Sequence, residues 1–153
     1  HTTVERSGNM IEQDTIKLLR ECDAGIQMGV DSIDDVLNRV RAEKMRECLS
    51  KCKKEHQELD AEVQELLEKY RDDGKDPSPI AKGMSWMKTN MKMAMDESDA
   101  TIADLMTDGC NMGVKSLNKY LNEYEAADEK SKDIAKRLIN LEERLAIDIR
   151  KYL

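Results

Sequence analysis

Ten residues of this chain occur twice, and they constrain the fold more than any other feature. Met28 to Leu37 reads MGVDSIDDVL, and Met112 to Leu121, 84 residues later, reads MGVKSLNKYL. Met, Gly, Val, Ser and the closing Leu are identical, and Ile33 is exchanged for Leu117. A spaced internal copy is the mark of a duplicated unit. With apolar residues stepping by three and four around each copy, the unit is a helical hairpin, and the chain is expected to hold two of them.

The first hairpin opens after a segment, residues 1–9, that has no pattern and reads as a flexible N-terminal segment. Asn9 with Glu12 resembles a capping box, which starts helix 1 near Met10. Its apolar face is Ile11, Thr15, Leu18, Cys22, Ile26, Gly29, Ile33, Val36 or Leu37, and Val40. Gly25 and Gly29 cost roughly 1 kcal/mol each in helix propensity, a cost that close approach of a neighbouring helix offsets. The turn near Arg41 and Ala42 has neither Gly nor Pro and is tight, so helices 1 and 2 are antiparallel neighbours. Helix 2 faces inward with Met45, Leu49, Cys52, His56, Leu59, Val63, Leu66 and Tyr70, and stops at Gly74 ahead of Pro77. Residues 75–93 have no counterpart in the first half. Ser78-Pro79 starts a helical piece there, and Trp86 anchors it. Helix 3 then begins near residue 94 or 95 and carries Met95, Ile102, Met106, Gly113, Leu117, Tyr120 and Tyr124. Asp128 caps helix 4, whose inner face is Ile134, Leu138, Leu141, Leu145, Ile149 and Tyr152. The fold class is all-α: one four-helix-bundle domain over residues 10–153, with two duplicated hairpins joined by a partly helical crossover, the ferritin-like arrangement. The competing topology is a plain up-down-up-down bundle with one very long third helix.

Charge and composition narrow the function. The net charge is -7 and basic residues are interleaved with acids, which argues against a nucleic-acid partner. No apolar run approaches the roughly 18 residues of a membrane span, and no secretory leader is visible, although the chain opens at His1 and further residues upstream are expected. The four cysteines lie in helical patterns and read as reduced, core-filling thiols of a cytoplasmic protein. Three of them, Cys22, Cys52 and Cys110, fall near mid-helix with His56, and two or three thiolates with an imidazole suit Zn, Cu or Fe. A di-iron bundle needs Glu-x-x-His on two helices and a Glu on each of the others. Lys53 stands three residues before His56, and helix 4 has no His. Glu55, Glu58, Glu142 and Glu143 flank the seam; with Glu21, Asp23, Asp104 and Asp108 they read as a solvated face, with an irregular oxidoreductase site at Glu55, His56, Glu142 or Glu143 as the sharper alternative. Met84, Met87, Met91 and Met95 step at helical spacing and read as packing.

The stretch IKLLRECDAGIQMGVDSIDDVL, the tight turn after it, the G-x-x-P entry to a crossover containing Trp, and the second similar helix together resemble the ferritin-like superfamily, and within it the bacterial YciF-like branch. The resemblance covers residues 10–153. It implies a four-helix bundle with a crossover, a homodimer, a protein partner and a link to stress or metal handling. Only His56 matches a ferritin-type ligand position, and Lys53 replaces its partner Glu, so the implied di-iron site is degenerate. The function expected is that of an interaction or stress-associated protein with a degenerate di-iron site, with a Cys/His metal site in the bundle core as the alternative.

Overall fold

The computed structural model describes residues 2–70 and 96–153, with side chains from residue 10 onward. The described residues form four helices, α1 (Thr2–Leu37), α2 (Glu43–Glu68), α3 (Asp99–Glu123) and α4 (Glu129–Ile149), followed by a 3-10 turn, Arg150–Tyr152. Among the described residues there is no strand, and no helix is long and apolar enough to cross a membrane. The expected all-α four-helix bundle is the architecture observed.

The two tight turns establish the helix directions. At the α1–α2 turn, the Asp99 carboxylate accepts from the backbone N–H groups of Arg41 (2.8 Å) and Ala42 (2.9 Å). At the α3–α4 turn, Asp14 accepts from the N–H of Ala126 (3.0 Å), and the Thr15 hydroxyl accepts from the N–H of Asp128 (2.8 Å). The start of α3 therefore lies beside the end of α1, and the start of α1 beside the end of α3. These two helices are antiparallel, while α2 and α3 run the same way. The chain between residues 70 and 96 thus connects opposite ends of the bundle, as a crossover must. Ala42 and Ala126 are themselves 84 residues apart, so each hairpin closes the other's turn at equivalent positions, as a duplication predicts.

Local chemistry explains most helix ends. The Ser98 hydroxyl accepts from the Thr101 N–H (3.2 Å) and starts α3, and Asp128 accepts from the Ser131 N–H (2.8 Å) and starts α4 as expected. Other boundaries differ from the sequence expectation. The first helix continues back to Thr2 through the segment expected to be flexible, because propagation adds a hydrogen bond per residue and no Pro interrupts it. Ile11 is consequently 46% exposed and not a core residue. The second helix ends at Glu68, before Gly74, where Lys69 and Tyr70 bond back to the carbonyls of Leu66 and Leu67 in a tightened last turn. The third starts at Asp99 and not at 94 or 95. The expected crossover features (Gly74, Ser78-Pro79, Trp86 and the Met84–Met95 ladder) lie outside the described residues.

The core is two apolar clusters stacked along the bundle axis. One, around the α1–α2 turn, holds Ile33, Val36, Met45, Leu49, Cys52, Ile102, Met106, Cys110 and Leu145. The other, around the α3–α4 turn, holds Leu18, Cys22, Ile26, Leu59, Val63, Leu117, Ile134 and Leu138. Each fully buried Leu or Ile contributes about 1.5–3 kcal/mol of transfer free energy. On the α2–α4 face, Arg137 grips both Glu62 carboxylate oxygens, which holds that carboxyl below its usual pKa. The pair is exposed, so it fixes register more than it stabilises.

Removing the acceptor that closes the α1–α2 turn tests its role. Asp99→Ala is expected to lower the unfolding free energy by about 1–2 kcal/mol in urea denaturation, since two backbone donors lose a charged partner. An unchanged midpoint would show that water replaces the carboxylate without cost.

Candidate functional site

Between the two apolar clusters the bundle has a polar layer. Its register comes from the α2–α4 ion pairs: Glu55 meets Arg144 (3.6 Å) and Glu62 meets Arg137. His56 of α2 and Glu142 of α4 therefore stand at the same height. Both are fully buried, at 0% and 1% exposure.

The protonation of each follows from its surroundings. His56 Nδ1 lies 2.8 Å from the Cys52 carbonyl oxygen. A carbonyl only accepts, so Nδ1 carries the proton and Nε2 presents a lone pair. Burial lowers the imidazole pKa, outweighing the opposing effects of the Cys52 carbonyl and Glu55, and the ring is neutral. Nε2 has no hydrogen-bond partner among the described residues. Burial raises the Glu142 pKa from 4.5 to about 8, so its carboxyl is protonated at neutral pH, and Oε2 also lacks a partner there. The layer thus contains one buried acceptor and one buried acid, on facing helices, neither charged.

Gly113 of the repeated stretch is what makes this burial feasible. A Cβ at that position would lie 2.5 to 2.8 Å from the Glu142 carboxyl atoms. The glycine leaves a hollow in α3 that the carboxyl fills. On α1, Gly25 approaches Leu138 at an ordinary 3.8 Å. The two halves of the duplication differ here. The counterparts of His56 and Glu142 are Asn140 and Glu58, and both are exposed.

The structure divides the four residues predicted as metal ligands. Cys52 and His56 are together, with Cys52 Sγ 3.5 Å from His56 Nδ1. Cys110 lies in the same apolar cluster as Cys52, while Cys22 belongs to the other cluster. Burial pushes all three thiols up, Cys22 to about 12 and the others further, so none is a thiolate at neutral pH. Among the described residues, no group of three or more His, Cys, Asp or Glu is arranged to hold a metal ion. Two carboxyls assigned to a solvated face are instead interior. Glu142 is one and Asp23, 1% exposed, is the other. Asp23 accepts from Gln27 (3.0 Å) and Gln64 (2.9 Å). It also shares a hydrogen bond with Asp60, whose pKa rises to about 7 through desolvation first and the Asp23 carboxyl second. The one signal in the sequence was Gly113 itself, a seam position read as a close-contact point between helices; what it receives is the Glu142 carboxyl.

Two measurements test this layer. Gly113→Ala should destabilise the native protein by about 1 kcal/mol, because the carboxyl is displaced into packed surroundings, yet stabilise a Glu142→Ala background by a similar amount through helix propensity. Additive effects would mean that the two residues do not meet. The second concerns pH. The native state holds the Glu142 proton up to about pH 8, whereas the unfolded chain releases it near 4.5. This contribution to stability is complete below about pH 4.5 and is lost as pH rises towards 8; Asp60 acts in the same direction. Urea titrations across this range should show a shallower decline for Glu142→Gln than for the native chain; parallel curves would refute the buried proton.

No family model, no curated protein and no solved structure matches this chain.

Proposed function

We propose that the chain is a binding protein built on a ferritin-like bundle with a degenerate di-metal centre, and that it acts through what it holds rather than as an oxidase. The composition of the central layer carries this reading. One imidazole and one carboxyl are fully buried there, each with one unpartnered atom. A di-iron bundle places a Glu on two helices and a Glu-x-x-His on each of the other two. Here α2 has Lys53 before His56, and Lys53 is drawn outward to Asp34 at 2.6 Å. On α4, Leu145 occupies the position three residues after Glu142 and is buried in the apolar cluster. The donor set does not fit two irons. The two atoms without partners among the described residues, His56 Nε2 and Glu142 Oε2, offer one acceptor and one donor to a single small guest.

A second reading is a single Zn, Cu or Fe ion held by Cys52 and His56, two of the four ligands expected from the sequence, with its remaining positions open to groups other than the described side chains. It is favoured by the 3.5 Å approach of Cys52 Sγ to the imidazole. It requires the Cys52 thiol to give up a proton that burial makes it hold, so binding would release acid.

Reconstitution with ferrous iron under argon, followed by elemental analysis and oxygen-uptake measurement, tests the leading reading. The expected result is less than one iron per chain and oxygen uptake no faster than buffer. Two irons per chain, with uptake abolished by His56→Ala, would overturn it. In the same assay, one equivalent of Zn bound with release of protons, and lost in Cys52→Ser, would favour the thiolate site instead.

A further inference from the structure

A groove on the α2–α4 face is independent of the central layer. It encloses about 470 Å³ beside the 3-10 turn at the chain's end, within the range of small-molecule sites. Its floor is apolar, with Leu145 and Cys52 buried beneath it. Its rim is cationic. Lys44 and Lys51 stand two turns apart on α2, and Arg150 and Lys151 face them from the end of α4. Among the described residues none of these four cations makes an ion pair with a carboxylate. Lys151 lies over the Tyr152 ring at 5.7 Å from its centre.

The acids of the groove do not cancel this charge. Glu55 is engaged by Arg144, and the Asp148 carboxylate faces the Cys48 thiol. That leaves Glu47 and Asp148, whose charge a neutral thiol does not discharge, against four cations without an ion pair among the described residues, in a chain whose net charge is -7. Arg150 and Lys151, in the 3-10 turn beyond α4, stand near the negative end of that helix dipole, but Lys44 lies in the first turn of α2, where the dipole is already positive. Placing a lysine there raises the local potential, and so favours an anion. An apolar floor under a cationic rim selects for more than charge.

We propose that this groove binds a small molecule joining two or more negative charges to an apolar body. The anionic end would lie between the lysine rows, as point-charge recognition of phosphate or carboxylate requires, and the apolar body would cover the half-buried Leu141 and Tyr152.

The test uses the full chain at about 20 mM salt, where surface charges are least screened, with pyrophosphate and ATP as probes. Binding is followed by calorimetry and by the backbone amide shifts of Lys51 and Tyr152. Both probes should saturate, with ATP at least about fivefold tighter because its base adds apolar contact. The double substitution Lys51→Gln with Lys151→Gln should weaken ATP at least about tenfold. Lys17→Gln with Lys119→Gln makes the same charge change outside the groove and should weaken it less than twofold. All four lysines are exposed, so the melting curves should coincide. No saturable binding, equal affinities for the two probes, or equal weakening by the two double variants would each overturn the proposal.

Discussion

Each hairpin of this bundle closes the turn of the other, and the rest of the structure depends on that exchange. Asp99 caps the α1–α2 turn and Asp14 caps the α3–α4 turn. Neither turn contains a Gly or Pro to satisfy its own backbone, so each borrows an acceptor from the opposite half. The exchange holds α1 and α3 antiparallel with their ends aligned. Once they are aligned, α2 and α4 are neighbours, and every height along the bundle is set. Without that register, His56 and Glu142 would have no reason to share a layer.

The layer itself is an asymmetry within a symmetric frame. Duplication gives both halves a Met-Gly-Val stretch, but only Gly113 receives a buried carboxyl. An ionised Glu between two apolar clusters would be costly, and removal from water raises its pKa until the neutral acid dominates. Neutral His56 opposite it is stable for the same reason. The layer therefore tolerates polar groups without ion pairs, and two of its atoms, His56 Nε2 and Glu142 Oε2, have no hydrogen-bond partner among the described residues. The same physics acts on the α1–α2 face, where desolvation and the neighbouring Asp23 carboxyl raise the Asp60 pKa to about 7.

The surface follows a different rule. Exposed pairs such as Lys53–Asp34 and Arg137–Glu62 bridge adjacent helices and fix heights while contributing little energy. The end of the α2–α4 face departs from this balance: there lysines and arginines line a recess with few acids left to meet them. Five basic and three acidic side chains line it, in a chain whose net charge is -7.

The sequence by itself determined the helices, their inner faces and the duplication. Apolar spacing is a local property of the chain, and the positions read as seam (Leu18, Ile26, Ile33, Leu49, Leu59, Leu138, Leu145) are buried. The caps Ser98 and Asp128 act through neighbours three residues away, although only the second was read as a start, because the repeat pointed a few residues too early. The N-terminal extension of α1 was illegible, since residues 2–9 have no apolar residues at helical spacing. Tertiary structure alone decided which residues meet. Glu142 looked solvated because it flanks the seam on its own helix; its burial depends on the absence of a side chain at Gly113, on another helix. The candidate ligands were similarly divided by height, with Cys22 on one side of the polar layer and Cys52 and Cys110 on the other. Periodicity gives the direction of a side chain around its axis, and only packing gives what lies opposite.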